Sequence, residues 1–485
     1  MLTKSNYLLG LQCSKLLWVT KNNKERIPKP DDVTQAKFTE GTLIGVLATK
    51  VFSDGIDLSE LDFKENLEKT KEALKERKTI FEAGVSKENL FSRGDILLPV
   101  GEDKGDVIED KSGTKVKDIN IHDVSFQKYI YEKAGLKIRN CILMHVNNQY
   151  VKDGEIEPKE LFIQTDITEK VKEYSKGIES RIKNMLKIIN SKEEPKGSIG
   201  VHCSDPYDCS LMDECWKDVP ENSVFEFYRM FKTKCFDLHG NGVVCMNQVP
   251  EDIKLNDKQK IQRRLAFDGG KHVDKTEINN FLNNLKYPIY YLDFETINPV
   301  IPKFDGMKPY QRIPFQFSLH IQEKKGGELK HISFLAEGTS DPRPKFMQAQ
   351  KDNLAKEGSV LVYNQSFEKG VLRECSEALP EFKEWYGENI LPRIKDLWDV
   401  FKDFNYYDPK QKGSTSIKYV LPVLSDLSYS EMDIKNGAIA SLEYERVTYG
   451  NVDEEERLKV RKALEKYCEL DTMAEVKIVE GLREK

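Results

Sequence analysis

The sequence predicts an α/β chain of two folded modules joined by a short polar segment, and three observations carry that expectation. The 485 residues are enough for two or three domains with cores of their own. The first section, about 1–218, ends in a Cys-rich stretch, the second, 219–285, is short and polar, and the third, 286–485, opens at Tyr287-Pro288. In that third section three strand-like runs precede an alternation of helix and strand, the order of an α/β layer.

The elements of the third section follow from apolar patterning. Strands are expected at 289–294, 315–321 and 331–335, a helix at 344–356, and a strand at 359–363. A helix starts near Phe367, a strand at 392–397 leads into further helices, and a long helical stretch covers about 454–480. In the polar middle section 257–265 and 275–285 read as helices, and the Lys/Glu-rich 63–78 reads as a solvated helix face. No internal repeat or low-complexity tract is present.

Charge and composition narrow the function classes. The net charge of −6 does not mark a nucleic-acid binder, yet 75 Lys and Arg leave material for local basic grooves. No apolar run approaches twenty residues, so no membrane span is expected. The first residues, Met1 to Tyr7, lack a basic-then-apolar leader, and a cytoplasmic location is expected. Nine Cys, an odd number, argue against a complete disulfide framework, and in a reducing compartment clustered Cys more often bind metal.

The strongest chemical signal is a pair of acidic strings. The apolar run 287–292 ends in Asp293-Phe294-Glu295, two carboxylates at the end of a core strand. Like charges that close raise each other's pKa, so the economical partner is a pair of hard cations. Far downstream, Tyr467 and Asp471 stand four residues apart on one helix face. Such a carboxylate set suits two-metal phosphodiester chemistry, with ions roughly 3.5–4 Å apart. Asp396, at a strand end, is a reserve candidate with a helix-capping alternative.

A second constellation lies in the first section. Arg93-Gly94-Asp95 is followed by Val107-Ile108-Glu109-Asp110-Lys111, and then by a helix carrying Gln127 and Tyr131 on one face. Asp95 and Glu109 suit a metal, the Asp110 carbonyl could add a ligand, and Lys111 would polarise water and balance charge at a phosphate. A charged hairpin is the ordinary alternative in so Lys- and Glu-rich a chain. Cys203, Cys209 and Cys215 form an evenly spaced triplet, and Cys13 is a fourth candidate near the start. Four thiolates suit a [4Fe–4S] cluster or Zn²⁺. The remaining Cys read as small packing residues, and none of the seven His forms a zinc-like pair in the sequence.

These residues carry a resemblance. Asp293-Phe294-Glu295-Thr296, Asn364-Gln365-Ser366-Phe367-Glu368 and the Tyr467…Asp471 string resemble, in order, the three motifs of the tyrosine subtype of DnaQ-like 3′-to-5′ exonucleases, whose fold is ribonuclease H-like. Gly413-Ser414-Thr415-Ser416-Ile417-Lys418 resembles the segment before the helix that braces the third motif. The resemblance implies that Asp293, Glu295, Glu368 and Asp471 hold two Mg²⁺ or Mn²⁺ ions, that Tyr467 orients the attacking water, and that Asn364 meets substrate. The second motif departs in ending on Glu368 where Asp is usual.

Asp95…Glu109-x-Lys111 with Gln127-x-x-x-Tyr131 resembles the RecB-like branch of PD-(D/E)xK nucleases, of restriction-endonuclease-like fold. That branch often carries a His upstream on a helix, and 38–45 has none, which implies either weaker metal binding or a contribution from Glu82. Cys13 with Cys203, Cys209 and Cys215 resembles the iron–sulfur members, including CRISPR-associated exonucleases, in which a [4Fe–4S] cluster closes the domain ends like a staple. The even spacing departs from the usual Cys-x-x-Cys.

Together the chain resembles a fused nuclease family with two active centres, acting on DNA, chiefly single-stranded ends, in repair or defence. The competing readings are a DNA-end-binding module with one or both centres inactive, and an RNA exonuclease. Oligomeric state and pathway are left open by the sequence.

Overall fold

The computed structural model describes residues 1–485 and is mixed α/β throughout. The chain divides into two compact units. The first is Met1–Asp218 with Val300–Tyr310, and the second is Val219–Pro299 with Gln311–Lys485. Two parts of the sequence division change. Residues 219–285, expected to be a linker, belong to the second unit. Val300–Tyr310, expected in the third section, belongs to the first, because Val300, Ile301 and Tyr310 join an apolar cluster with Ile44, Ile96, Ile108 and Met144. Tyr310 Oη also donates to the Ser112 carbonyl at 2.6 Å.

The first unit is built on a seven-stranded sheet. In chain order its strands are β1 (Leu2–Thr3), β2 (Ile56–Asp57), β3 (Ile80–Lys87), β4 (Leu90–Val100), β5 (Lys104–Lys111), β6 (Lys137–Val146) and β7 (Phe162–Asp166). The spatial order is β2-β3-β4-β5-β6-β7, with β1 added parallel to β4. β3, β4 and β5 form an antiparallel meander, and β6 lies parallel to β5. Strand alternation separates the two faces. Leu97 and Val107 face a core that includes Val124, Ile130 and Tyr131 of the helix Asp118–Lys133, whereas Ile96 and Ile108 face Ile44 of the helix Asp32–Thr49. Gly41 and Gly45 of the latter helix have no side chain to fill the space above the sheet.

The second unit holds a two-stranded ribbon of β8 (His272–Val273) with β14 (Tyr406–Tyr407) and a five-stranded sheet. The sheet contains β9 (Ile289–Ile297), β10 (Ile313–Gln322), β11 (Leu329–Leu335), β12 (Ser359–Val362) and β13 (Ile394–Asp396), in the order β11-β10-β9-β12-β13. β9, β10 and β11 are antiparallel neighbours, and β12 and β13 are parallel additions. β9 up to Leu292 and β12 after Ser359 are apolar because both faces of the sheet are covered. Tyr290, Leu292 and Phe294 point into the core around Phe346 and Leu372. The alternate residues Tyr291, Asp293 and Glu295 therefore face the other side, where the C-terminal helix Glu454–Arg483 lies. Asp453 caps that helix by accepting from the Glu456 amide at 2.8 Å, and three Glu in its first turn complement the helix dipole.

Candidate active site

In the second unit, β9 and the C-terminal helix bring three carboxylates together. Ligand-capable oxygens of Asp293, Glu295 and Asp471 all lie within 4.8 Å of one another. The register of β9 against β10 slips at Pro314–Gln316, a bulge beside Glu295. Burial, then Asp471 and Glu295, push the Asp293 carboxyl well above its usual range. Burial and Asp471 raise Glu295 to about 8, and burial raises Asp471 to about 6. Lys418 is the cation that opposes the last two shifts.

Glu368 sits in the first turn of the helix Gln365–Ala378, almost fully buried, with Oε2 lacking a hydrogen-bond partner. It lies close enough to add to the shift of Asp293, and its own carboxyl is pushed up chiefly by burial. Asn364 adopts a left-handed backbone at the head of this helix, with φ of 78°. Asp396 resolves into the capping role. Its carboxylate accepts from the amides of Asn364 at 2.9 Å, Gln365 at 3.1 Å and Trp398 at 3.0 Å, which satisfies orphan donors at two helix starts.

Four contributors lie outside the sequence expectation. Tyr429 Oη donates to Asp471 Oδ1 at 2.7 Å, and the Lys418 ammonium lies 5.4 and 5.7 Å from the ring centroids of Tyr429 and Tyr467. Burial and the adjacent carboxylates raise both phenols, so each stays protonated. Cys468, read as a packing residue, has its Sγ 3.8 Å from Asp293 Oδ2. Glu475 is fully buried with both carboxylate oxygens unpartnered, and burial with Asp293 and Glu368 pushes it up. Its signal was the spacing 467, 471, 475 along one helix face.

In the first unit, adjacent strands β4 and β5 present Asp95, Glu109 and Lys111 to one cleft. The cleft holds about 570 Å³ and is also lined by Phe38, Gly41 and Gly45 of the helix Asp32–Thr49, the one without a His. Glu109 is wholly buried. It accepts from Lys4 Nζ at 2.8 Å, from Lys111 Nζ and from Gln127 Nε2 at 2.6 Å. Burial alone would raise its carboxyl, but Lys111 and Lys4 hold it well below the ordinary range. Burial and Glu109 push Asp95 well up, and Asp95 Oδ2 accepts from the Asp110 amide at 2.9 Å. Burial also raises Glu82 to about 7, with Asp95 adding to it. Tyr131 lies one turn beyond Gln127 on the same helix. Its hydroxyl donates to the Ala83 carbonyl at 2.9 Å against Gly94, so it braces the sheet while Gln127 reaches the carboxylates.

Lys4 and Asp123 were missed here. Lys4 Nζ stands 3.6 Å from Asp95 and 3.8 Å from Asp123, and Gln127 Nε2 donates to Asp123 at 3.0 Å. No local pattern tied Lys4 to strands a hundred residues away. Asp123 could have been found one helical turn before Gln127.

All nine Cys are free thiols. Cys209 and Cys215 lie within electrostatic reach of each other and of Cys13 and Cys203, and Cys13, Cys209 and Cys215 pack beside Leu16, Val19 and Leu211. The Leu211 amide donates to Cys209 Sγ at 3.4 Å. Around them the two ends of the unit's main segment are already joined. Gln12 Nε2 donates to the carbonyls of His202 at 2.8 Å and Tyr207 at 2.6 Å, and Arg26 bridges Glu194 and Glu214.

A family model described as "Domain of unknown function (DUF2779)" matches residues 290–416, which takes in Asp293, Glu295 and Glu368 and stops before Tyr467 and Asp471. The chain is 29% identical over 223 residues to "Uncharacterized protein MG366" of Mycoplasma genitalium, covering 42% of this chain and 33% of that protein. It is 27% identical over 217 residues to "Uncharacterized protein UU173" of Ureaplasma parvum, covering 40% and 31%. The chain thus spans about a third of the length of the curated relatives it matches. No helix is long and apolar enough to cross a membrane.

Proposed function

We propose that this chain is a metal-dependent nuclease that removes nucleotides from the 3′ end of DNA through a DnaQ-like centre in its second unit, with a RecB-like centre in its first. The observation that carries the reading is the buried trio Asp293, Glu295 and Asp471, with ligand oxygens within 4.8 Å and carboxyls pushed up by burial and mutual repulsion. Such a set is costly without cations, and its all-oxygen donors fit Mg²⁺ or Mn²⁺. The sheet order β11-β10-β9-β12-β13, three antiparallel strands and two parallel ones, supports a ribonuclease H-like scaffold.

Asp293, Glu295, Glu368 and Asp471 are the residues that would hold the ions. When bound, the ions supply Lewis-acid polarisation of a phosphoryl oxygen and a water made nucleophilic near neutral pH. The Tyr467 phenol stays protonated and would donate a hydrogen bond to orient such a water. Tyr429 fixes Asp471 by its 2.7 Å hydrogen bond, and Lys418 offsets part of the negative charge.

In the first unit Asp95 and Glu109 offer hard oxygens, Gln127 orients Glu109, and the protonated Lys111 balances charge at a scissile phosphate. One observation favours a second reading for this centre alone. Lys4 and Lys111 already face Asp95, Glu109 and Asp123, so it has less need of a metal and could serve DNA-end binding. The four grouped thiols fit a [4Fe–4S] cluster, with zinc as the alternative, and either group would staple the ends of the unit's main segment.

The test is cleavage of DNA and RNA, single- and double-stranded, labelled at either end, in Mn²⁺ and in EDTA. Shortening from the 3′ end of DNA that stops in EDTA supports the proposal. Preference for RNA would reassign the substrate, and intact polymers with tight end binding would replace catalysis by recognition.

A further inference from the structure

A second cluster of ligand-capable side chains, two of them imidazoles, lies on the same sheet face as the carboxylates. The sequence suggested no zinc-like His pair, because His320 and His331 are eleven residues apart on different strands. The antiparallel register of β10 and β11 sets them directly opposite each other, with ring centroids 4.5 Å apart. Glu469 reaches them from the C-terminal helix. One ligand-capable atom from each of His320, His331 and Glu469 lies within 4.8 Å of the others, and His331 Nδ1 is 3.8 Å from Glu469 Oε1.

One arrangement of the hydrogen bonds behind the rings leaves both imidazoles free to ligate. In it Thr472 Oγ1 donates to the Glu469 carbonyl at 3.2 Å. Thr472 Oγ1 therefore accepts from Ser318 Oγ at 2.7 Å and from His320 Nδ1 at 2.8 Å. The Ser318 hydrogen is then engaged, so His331 Nε2 must be the donor in its 3.0 Å bond to Ser318 Oγ. In that arrangement each imidazole carries its proton on the nitrogen facing the hydroxyl pair, as ligation would require. The lone pairs stand on His320 Nε2 and His331 Nδ1, the latter beside Glu469. Partners that hold the ring N–H and fix the tautomer are the usual support of ligating histidines. Burial and the neighbouring His331 keep His320 neutral, at about 4, as a ligand must be.

We propose that His320, His331 and Glu469 form a zinc-class divalent site, distinct from the all-oxygen carboxylate centre, that clamps β10 and β11 to the C-terminal helix. Two imidazole nitrogens and one carboxylate select zinc-class ions over Mg²⁺ and leave a fourth position for water. Ligands around a tetrahedral zinc stand about 3.3 Å apart, given bonds of roughly 2.0–2.1 Å. His331 and Glu469 are partly exposed, so their side chains can close the remaining distance. Glu469 is two residues from both Tyr467 and Asp471. The bound ion would hold the helix segment that carries them, whatever reaction they perform.

The test is equilibrium dialysis of the full-length protein against Zn²⁺ in excess Mg²⁺, which saturates oxygen-only sites, comparing wild type with His331→Ala and Glu469→Gln. Both variants alter partly exposed side chains. Each is expected to bind one zinc fewer per chain at a free concentration that fills wild type, with affinity at that site down at least about a hundredfold. Ser318→Ala, which removes only the ring's hydrogen-bond partner, is expected to weaken it roughly 10–100-fold. X-ray absorption at the zinc edge should show imidazole nitrogen in wild type that diminishes in His331→Ala. Equal zinc counts and affinities in wild type and both ligand variants would overturn the proposal.

Discussion

Replacing Glu295 by Gln in the chelated protein should remove this group's share of the pH dependence of the second unit's stability. Burial and Asp471 raise this carboxyl from its ordinary value near 4.5 to about 8. Without metal, the folded state therefore holds it neutral across a window in which the unfolded chain ionises it. The contribution is fully present below about 4.5 and is lost as pH rises through about 8. Within the window, stability falls by about 1.4 kcal/mol per pH unit for one proton, which sets a ceiling of about 5 kcal/mol for Glu295 alone. Gln keeps a neutral group of the same shape, so Glu295→Gln should match wild type near pH 4.5 and exceed it near pH 8. Calorimetry on the full chain in EDTA, following the transition that the substitution moves, reads this difference. Added Mn²⁺ should stabilise wild type at pH 8 more than the variant. Parallel pH profiles for the two proteins in EDTA would refute the reasoning that crowded, buried carboxylates strain the metal-free centre.

The remaining predictions bear on single residues. Tyr467→Phe keeps the ring and loses the hydroxyl, so kcat for exonucleolysis should fall roughly 10²–10³-fold with little change in KM; an unchanged kcat removes the water-orienting role. Glu475→Gln should leave the rate close to wild type, because burial already keeps Glu475 protonated, whereas a loss as deep as that of Asp471→Asn would make it a further ligand. Cys13→Ala should lower the melting temperature of the first unit alone, by roughly 5–10 °C if 2–3 kcal/mol is lost. The anaerobic wild-type protein should be brown, with iron and acid-labile sulfide in near-equal amounts. Colourless protein with one zinc would exchange the cluster for a zinc staple, and equal stability without either metal would remove the staple.

Periodic apolar runs made the second unit's framework legible. Expected strands at 289–294, 315–321 and 359–363 correspond to β9, β10 and β12, and the helix expected at 454–480 runs as Glu454–Arg483. The end of that first strand also showed two carboxylates one residue apart, a spacing that sets Asp293 and Glu295 on one face. Partners supplied by distant chain were not legible. Lys4 reaches Glu109 across 105 residues, and Tyr429 reaches Asp471 from a polar loop. The same holds for His320 and His331, whose pairing depends on strand register rather than on any local spacing. Val300–Tyr310 looked like a connection within one module, since a short apolar segment does not reveal which core it will join.

The most direct measurement is a paired nuclease assay with Mn²⁺ on end-labelled single-stranded DNA, using Asp293→Asn, Lys111→Ala and the double variant. The account expects Asp293→Asn to abolish shortening from the 3′ end while a separate cleavage survives, Lys111→Ala to remove that second cleavage alone, and the double variant to be inert but folded. Unchanged 3′-end degradation by Asp293→Asn would contradict it.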